Sequence, residues 1–193
     1  MKRLVLASNN KHKVAEIKAI LSDYEVLTLN DVGIDVDVEE TGTTFSENAY
    51  IKAKTIYDMI GMATIADDSG LMVEALGGAP GVYSARYAGE HGNDHANNLK
   101  VLRELDGVEM RDAKFVSAIV MIDSDGAVYS VIGETKGKIL LDYDGEGGFG
   151  YDPIFYSYEL NKSFGRATPE EKNSVSHRRK ALDNLAILLI KKN

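Results

Sequence analysis

Apolar residues recur along the chain in two periods, and their alternation predicts an α/β protein. Arg3 to Ala7 is short and apolar, as a buried strand should be. Ser8-Asn9-Asn10 then supplies turn and cap residues ahead of a helix with Val14, Ile17, Ile20 and Leu21 on one face. Glu25 to Leu29 reads as a second strand. Thr44-Phe45-Ser46-Glu47 has capping-box spacing, in which a threonine hydroxyl and a glutamate three residues on satisfy backbone N–H groups at a helix start. The helix it opens runs to about Ile60, with Phe45, Ala49, Ala53, Ile56 and Ile60 at helical spacing. Ala63 to Ala66 reads as a strand ending at Asp67-Asp68-Ser69-Gly70. Two carboxylates then stand at its C-terminal end, the edge where α/β sheets bind ligands.

Further on, Gly77 to Gly81 is a turn by composition, and Ala96, Leu99, Leu102 and Leu105 mark another amphipathic helix. The pattern then becomes β-rich. Phe115 to Ile122 and Ala127 to Ile132 flank Asp123-Ser124-Asp125-Gly126, which predicts an antiparallel hairpin. Thr168-Pro169-Glu170-Glu171 combines a cap, proline at the first helical position and glutamate at N3, so a short helix begins there. Ser176 caps a last helix that buries Ala181, Leu185, Leu188 and Leu189 and ends in Lys191 and Lys192. The expected class is α/β, a mixed twisted sheet with flanking helices, in one domain spanning 1–193 with two lobes.

Composition narrows the chemistry. With 193 residues and 44% hydrophobic content, the chain needs no disulfide or structural metal to hold a core. Zero cysteines remove thiolate zinc sites and cysteine nucleophiles, and suit a reducing compartment. Met1 to Asn10 has no secretory apolar segment, and the longest apolar run, Leu185 to Ile190, is far short of a membrane span. A soluble, cytoplasmic protein without a membrane partner is expected. A net charge of -8 argues against coating a nucleic-acid polymer, which needs a basic surface.

Four constellations remain. Ser8, Asn9, Asn10, Lys11, His12 and Lys13 lie between strand and helix, where amides and lysines attract phosphate, although no P-loop pattern is present. Adjacent acids stand at Glu39-Glu40 and Asp67-Asp68; paired carboxylates are rationalised by a cation among them, and Mg²⁺ takes one or two carboxylates while keeping water and phosphate oxygens. Gly145 to Gly150 matches GxGxxG, but Tyr151-Asp152-Pro153 follows instead of a helix. A flexible loop that sets Phe149 against a flat base fits better than a dinucleotide fingerprint. Lys172 and Ser176-His177-Arg178 cluster basic groups near the last helix, where cationic donors read carbonyls or phosphate. His91 and His95 have a metal-pair spacing, but Gly92 and Asn93 between them favour a loop.

In order and wording these segments resemble the inosine triphosphate pyrophosphatase family. The similarity runs nearly end to end, through Ser8 to Lys13, Glu39 to Gly42, Glu47-Asn48-Ala49 with Lys52, Ala66 to Leu71, Gly77 to Arg86, Gly147 to Pro153 and Ser176 to Arg178. The resemblance implies a two-lobed mixed α/β fold with a cleft, usually a homodimer. It further implies Mg²⁺-dependent hydrolysis of non-standard purine nucleoside triphosphates such as ITP, dITP and XTP to monophosphate and pyrophosphate. Carried onto this chain, it makes Ser8 to Lys13 a phosphate loop, Lys52 a further phosphate contact, Glu39 and Asp68 the metal acids, and Asp68 the catalytic residue. Ser69, Phe149, Gly150, Tyr151, Asp152, Lys172, His177 and Arg178 would line the substrate site. Many relatives carry Thr-Gly-Asn where this chain has Ser8-Asn9-Asn10, and either Glu39 or Glu40 faces the metal. The alternatives are a pyrophosphatase for another modified nucleotide and a nucleotide-binding protein without hydrolysis.

Overall fold

A computed structural model describes residues 2–191. Met1, Lys192 and Asn193 lie outside the described residues, and with them the charge expected from Lys192 at the last helix end. The elements follow as β1 (Lys2–Leu6), α1 (Lys11–Ile20), β2 (Tyr24–Leu27), α2 (Phe45–Ile60), β3 (Thr64–Val73), α3 (Asp94–Glu104), β4 (Asp112–Ile122), β5 (Val128–Ile139), β6 (Phe155–Ser157), β7 (Lys162–Ser163), α4 (Pro169–Val175) and α5 (His177–Ile190). The strands make one sheet in the order β2-β1-β3-β4-β5-β6-β7. Pairing is parallel at β1 with β2 and β3, and antiparallel at β6 with β5 and β7, so the sheet is mixed as the pattern predicts.

Local chemistry sets the boundaries. Both predicted capping boxes form, Thr44 with Glu47 at α2 and Thr168 with Glu171 at α4. Asn10 caps α1 by accepting from the His12 and Lys13 amides. The β4–β5 turn closes through Asp123, whose N–H donates to the Ala127 carbonyl at 3.0 Å.

The chain divides into two compact units, each with its own core. The first holds the chain up to Asp68, Ser117–Gly133 and Arg178 onward. Its core gathers Leu4, Leu6, Ile17, Ile65, Ile119, Leu182 and Leu185. The second holds Ser69–Val116 and Glu134–His177, around Leu71, Val101, Phe115, Ile154, Phe155 and Phe164.

Three expectations change. β3 does not stop at Ala66 but continues through Asp67-Asp68-Ser69-Gly70 to Val73. β1 pairs with it only at Thr64 and Ile65, and β4 is its neighbour on the other side, so its place inside the sheet outweighs the turn preference of Asp, Ser and Gly. The amphipathic helix marked by Ala96, Leu99, Leu102 and Leu105 forms, with Leu105 buried just past its end and Leu102 packed on the core, but Leu99 is exposed and the helix buries Asn97, Asn98 and Val101. Asn97 is satisfied where an apolar count cannot see it: it accepts from the Ala88 amide and donates to the Ala85 carbonyl. On α5 the inward stripe is Ala181, Leu182 and Leu185, while Leu188 falls to its edge and is exposed.

Candidate functional site

In the first unit the chemistry centres on consecutive residues of β3. Successive side chains of a strand leave opposite faces, so Asp67 and Asp68 meet different partners despite adjacency. Asp67 is 0% exposed. Ser117 Oγ donates to its Oδ1 at 2.5 Å, Lys13 Nζ lies 2.9 Å from Oδ2, and the Arg178 guanidinium approaches to 3.4 Å. Arg178 is 1% exposed and also pairs with Glu16 from α1. Burial pushes the Asp67 carboxyl up, but Arg178, Lys13 and the Ser117 hydroxyl outweigh it and hold the group well below the usual carboxylate range. Burial likewise works against the Arg178 charge, and Asp67 and Glu16 more than restore it.

Asp68 is 6% exposed, and its situation is the reverse. Burial pushes its carboxyl above the ordinary value; Lys52 and Lys13 pull it back only in part, and Glu40 and Asp67 add to the rise. Lys52 Nζ lies 3.6 Å from Asp68 Oδ1, pairs with Glu40 at 2.7 Å and donates to the Asp67 carbonyl at 2.8 Å. Burial lowers the Lys52 ammonium, but Asp68 and Glu40 raise it further. Asp68 Oδ2 is buried and has no hydrogen-bond partner among the described residues.

No group of three or more His, Cys, Asp or Glu able to hold a metal forms among the described residues. The pair that shares Lys52 is smaller, Asp68 with Glu40, and offers hard carboxylate oxygens, one of them the bare Oδ2. That set fits Mg²⁺, which takes one or two carboxylates and fills its shell with water. Between the two adjacent glutamates, Glu39 is exposed and Glu40 is the one in contact with Lys52.

At the α1 start, Asn10 Oδ1 engages the His12 and Lys13 amides, and the Asn10 amide donates to Ser8 Oγ at 3.2 Å. Asn9 is exposed, keeps a negative φ, and donates to the Val36 carbonyl at 3.2 Å. Lys11 and His12 are exposed, and Lys13 turns inward to Asp67.

In the second unit a different cluster forms. Lys172 is buried, donates to Asp152 Oδ2 at 2.7 Å and lies over the Phe149 ring, 4.5 Å from its centroid. The same Asp152 oxygen accepts from the Phe149 amide at 2.9 Å. The Tyr151 hydroxyl donates to the Ser84 carbonyl at 2.7 Å, and its burial raises the phenol. The glycine run expected to be flexible is tied down: the Gly147 amide bonds the Gly165 carbonyl at 2.8 Å, and Gly148, at φ +74, packs so tightly on Asp152 that no Cβ fits. Gly150 is gripped by Asp94 and Asn98 of α3. His177 is buried, stacked on Phe115 with centroids 5.0 Å apart, and Ser69 is half-buried on β3. His95, weighed as a metal ligand, pairs with the Tyr143 hydroxyl.

The first unit therefore brings together Lys13, Lys52, Asp68 and Arg178, and the second Phe149, Asp152 and Lys172. Sequence reading missed Ser117 and Glu16, and left Asp94 and Asn98 unassigned. The signal for Ser117 was a lone hydroxyl inside the apolar run Phe115 to Ile122, and for Glu16 its place one turn beyond Lys13 on α1.

The Ham1 family model matches residues 4–187. A curated relative from Clostridium perfringens, the dITP/XTP pyrophosphatase, is 49% identical, with 96% of each chain covered. Among solved structures, the Ham1 protein of Staphylococcus aureus is 44% identical with a TM-score of 0.89, covering 100% of both chains. A HAM1 protein from Coxiella burnetii is 38% identical with a TM-score of 0.88, covering 99% of this chain and 100% of that one.

Proposed function

Because the chain belongs to the Ham1 family, we propose that it hydrolyses non-standard purine nucleoside triphosphates of the dITP and XTP kind, and that cleavage falls between the α and β phosphates to leave the monophosphate and pyrophosphate. The observation that carries this reading is Asp68, a buried carboxylate with one oxygen bare, attended by Lys52 and Lys13. Leaving a buried polar atom unsatisfied costs stability, so its retention marks a place where water, cation or substrate belongs.

Asp68 and Glu40 are assigned to hold Mg²⁺. When bound there, the cation supplies charge neutralisation for the phosphates and for the departing pyrophosphate. Asp68 orients the attacking water and takes up its proton as the water oxygen bonds to the α phosphorus and the bridging oxygen leaves with the β phosphate. Lys52 keeps Glu40 and Asp68 together against their mutual repulsion and, with Lys13, meets the phosphate charge. Asp67 serves by holding Lys13 and Arg178, not by reacting.

Base recognition is assigned to the second unit. Phe149 offers a flat face for stacking, and Lys172, fixed on Asp152, offers N–H donors. Hypoxanthine and xanthine carry a carbonyl at C6, whereas adenine carries an amino donor. A buried ammonium bonds the first and is left facing another donor by the second; sites built on such pairing discriminate by ~10⁴. A cytoplasmic homodimer belongs to the same proposal, checked by sedimentation equilibrium and by fractionation of cells; among the described residues no helix is long and apolar enough to cross a membrane.

The test is pyrophosphate release from a panel of ribo- and deoxynucleoside triphosphates with and without Mg²⁺. Preference for dITP, ITP and XTP over ATP and dATP, lost without the cation, is the expected result. Saturable binding of dITP without pyrophosphate would overturn it.

A further inference from the structure

Gly150 follows Phe149 directly, has φ +60, and has both of its backbone polar groups held by one helix. Its N–H donates to Asp94 Oδ2 at 2.8 Å, and its carbonyl accepts from Asn98 Nδ2 at 3.0 Å. Asp94 and Asn98 stand four residues apart on α3, so they present one face to one residue and hold the peptide units on both sides of it. A Cβ added to Gly150 would meet nothing within 4 Å, so the glycine serves its backbone conformation and not a close approach.

The neighbouring contacts give this clamp a purpose. Phe149 is fixed at its amide by Asp152 and at the next residue by α3, and its ring sits 4.5 Å from the Lys172 ammonium. Asn98 itself is a poor choice for stability alone. It is 2% exposed, and its Oδ1 has no hydrogen-bond partner among the described residues, a cost that a leucine on that face would not carry. The same helix puts Leu99 outward, so apolar packing did not select this register by itself.

We propose that Asp94 and Asn98 are positioning residues for base selection: they lock the backbone on both sides of Gly150 and thereby the plane of Phe149 against Lys172. They act through the loop and do not touch the substrate. This inference rests on the proposed function only in taking Phe149 and Lys172 as the face that receives the base.

Asp94 is exposed, so Asp94→Ala removes one half of the clamp without opening the core. The experiment compares wild type, Asp94→Ala, Asp94→Asn and Asn98→Ala in dITP and dATP hydrolysis with Mg²⁺, alongside calorimetric binding of inosine monophosphate and of inorganic pyrophosphate. Wild type that neither hydrolyses dITP nor binds inosine monophosphate refutes the function, independently of the clamp. Given an active wild type, Asp94→Ala should raise KM for dITP by about tenfold with little change in kcat, the mark of lost binding common to ground and transition states. It should also weaken inosine monophosphate while leaving pyrophosphate binding unchanged. Asp94→Asn, which keeps an acceptor oxygen, should restore most of the affinity, and Asn98→Ala should repeat the Asp94→Ala pattern. An unaltered dITP KM and dITP to dATP ratio in both alanine variants, or equal loss of pyrophosphate and inosine monophosphate binding, would overturn the proposal.

Discussion

Asp67→Asn keeps the shape of a fully buried side chain and removes its charge, leaving Arg178 and Lys13 without the carboxylate they share. Breaking a buried pair from one side costs ~3–5 kcal/mol; Glu16 still pairs with Arg178, and the asparagine oxygen can still accept, which favours the lower end. In a chain of this size each kcal/mol moves the melting temperature by roughly 2–4 °C, so a drop of about 6–12 °C at pH 7 is expected. The pH dependence is a stricter check. The Asp67 carboxyl is depressed in the folded state, so its contribution is complete above the unfolded value, about 3.9, and is lost as pH falls toward the folded value. Wild type should therefore lead the variant by a constant margin between pH 7 and 5, and the margin should shrink below about pH 4. Urea titrations followed by far-UV circular dichroism at pH 7, 5 and 3.5 measure it. A margin under about 1 kcal/mol at pH 7, or one that widens in acid, would refute the reasoning.

Other outcomes follow from the same geometry. Glu40→Gln should raise the Mg²⁺ concentration needed for half-maximal pyrophosphate release, whereas Glu39→Gln should leave it nearly unchanged, because only Glu40 contacts Lys52 beside Asp68; a Mg²⁺ titration of both separates them. Gly148→Ala should destabilise the protein by more than about 1 kcal/mol and raise KM for dITP, since the residue has φ +74 and its Cβ would collide with the Asp152 carboxylate; melting curves and initial rates read both effects.

What the sequence disclosed was mostly local. The capping boxes at Thr44 and Thr168 are legible because donor and acceptor lie three residues apart. The acid pair Asp67-Asp68 is legible as a candidate because it follows an apolar run, but the residues alone did not separate the two, and the choice of Asp68 came from the family resemblance. Ser117 and Glu16 were not, because their partners Asp67 and Arg178 lie 50 and 162 residues away in the chain. The α3 helix was legible but part of its buried face was not, since periodicity counts only apolar residues and Asn97 and Asn98 on that face serve backbone groups elsewhere. β3 ran past its predicted end because its place inside the sheet, invisible in a single segment, overrode turn composition. That Glu40 and not Glu39 contacts Lys52 could not be read, since that loop has no periodicity to orient it.

The central claim is that the bare carboxylate of Asp68 turns a nucleotide-holding site into a hydrolytic one. Wild type and Asp68→Asn, assayed side by side for pyrophosphate released from dITP with Mg²⁺, test it most directly. The account predicts one pyrophosphate per dITP from wild type and a rate roughly 10² to 10⁴ lower from the variant, with matching circular dichroism and melting curves. Turnover by a folded Asp68→Asn protein near the wild-type rate would contradict it.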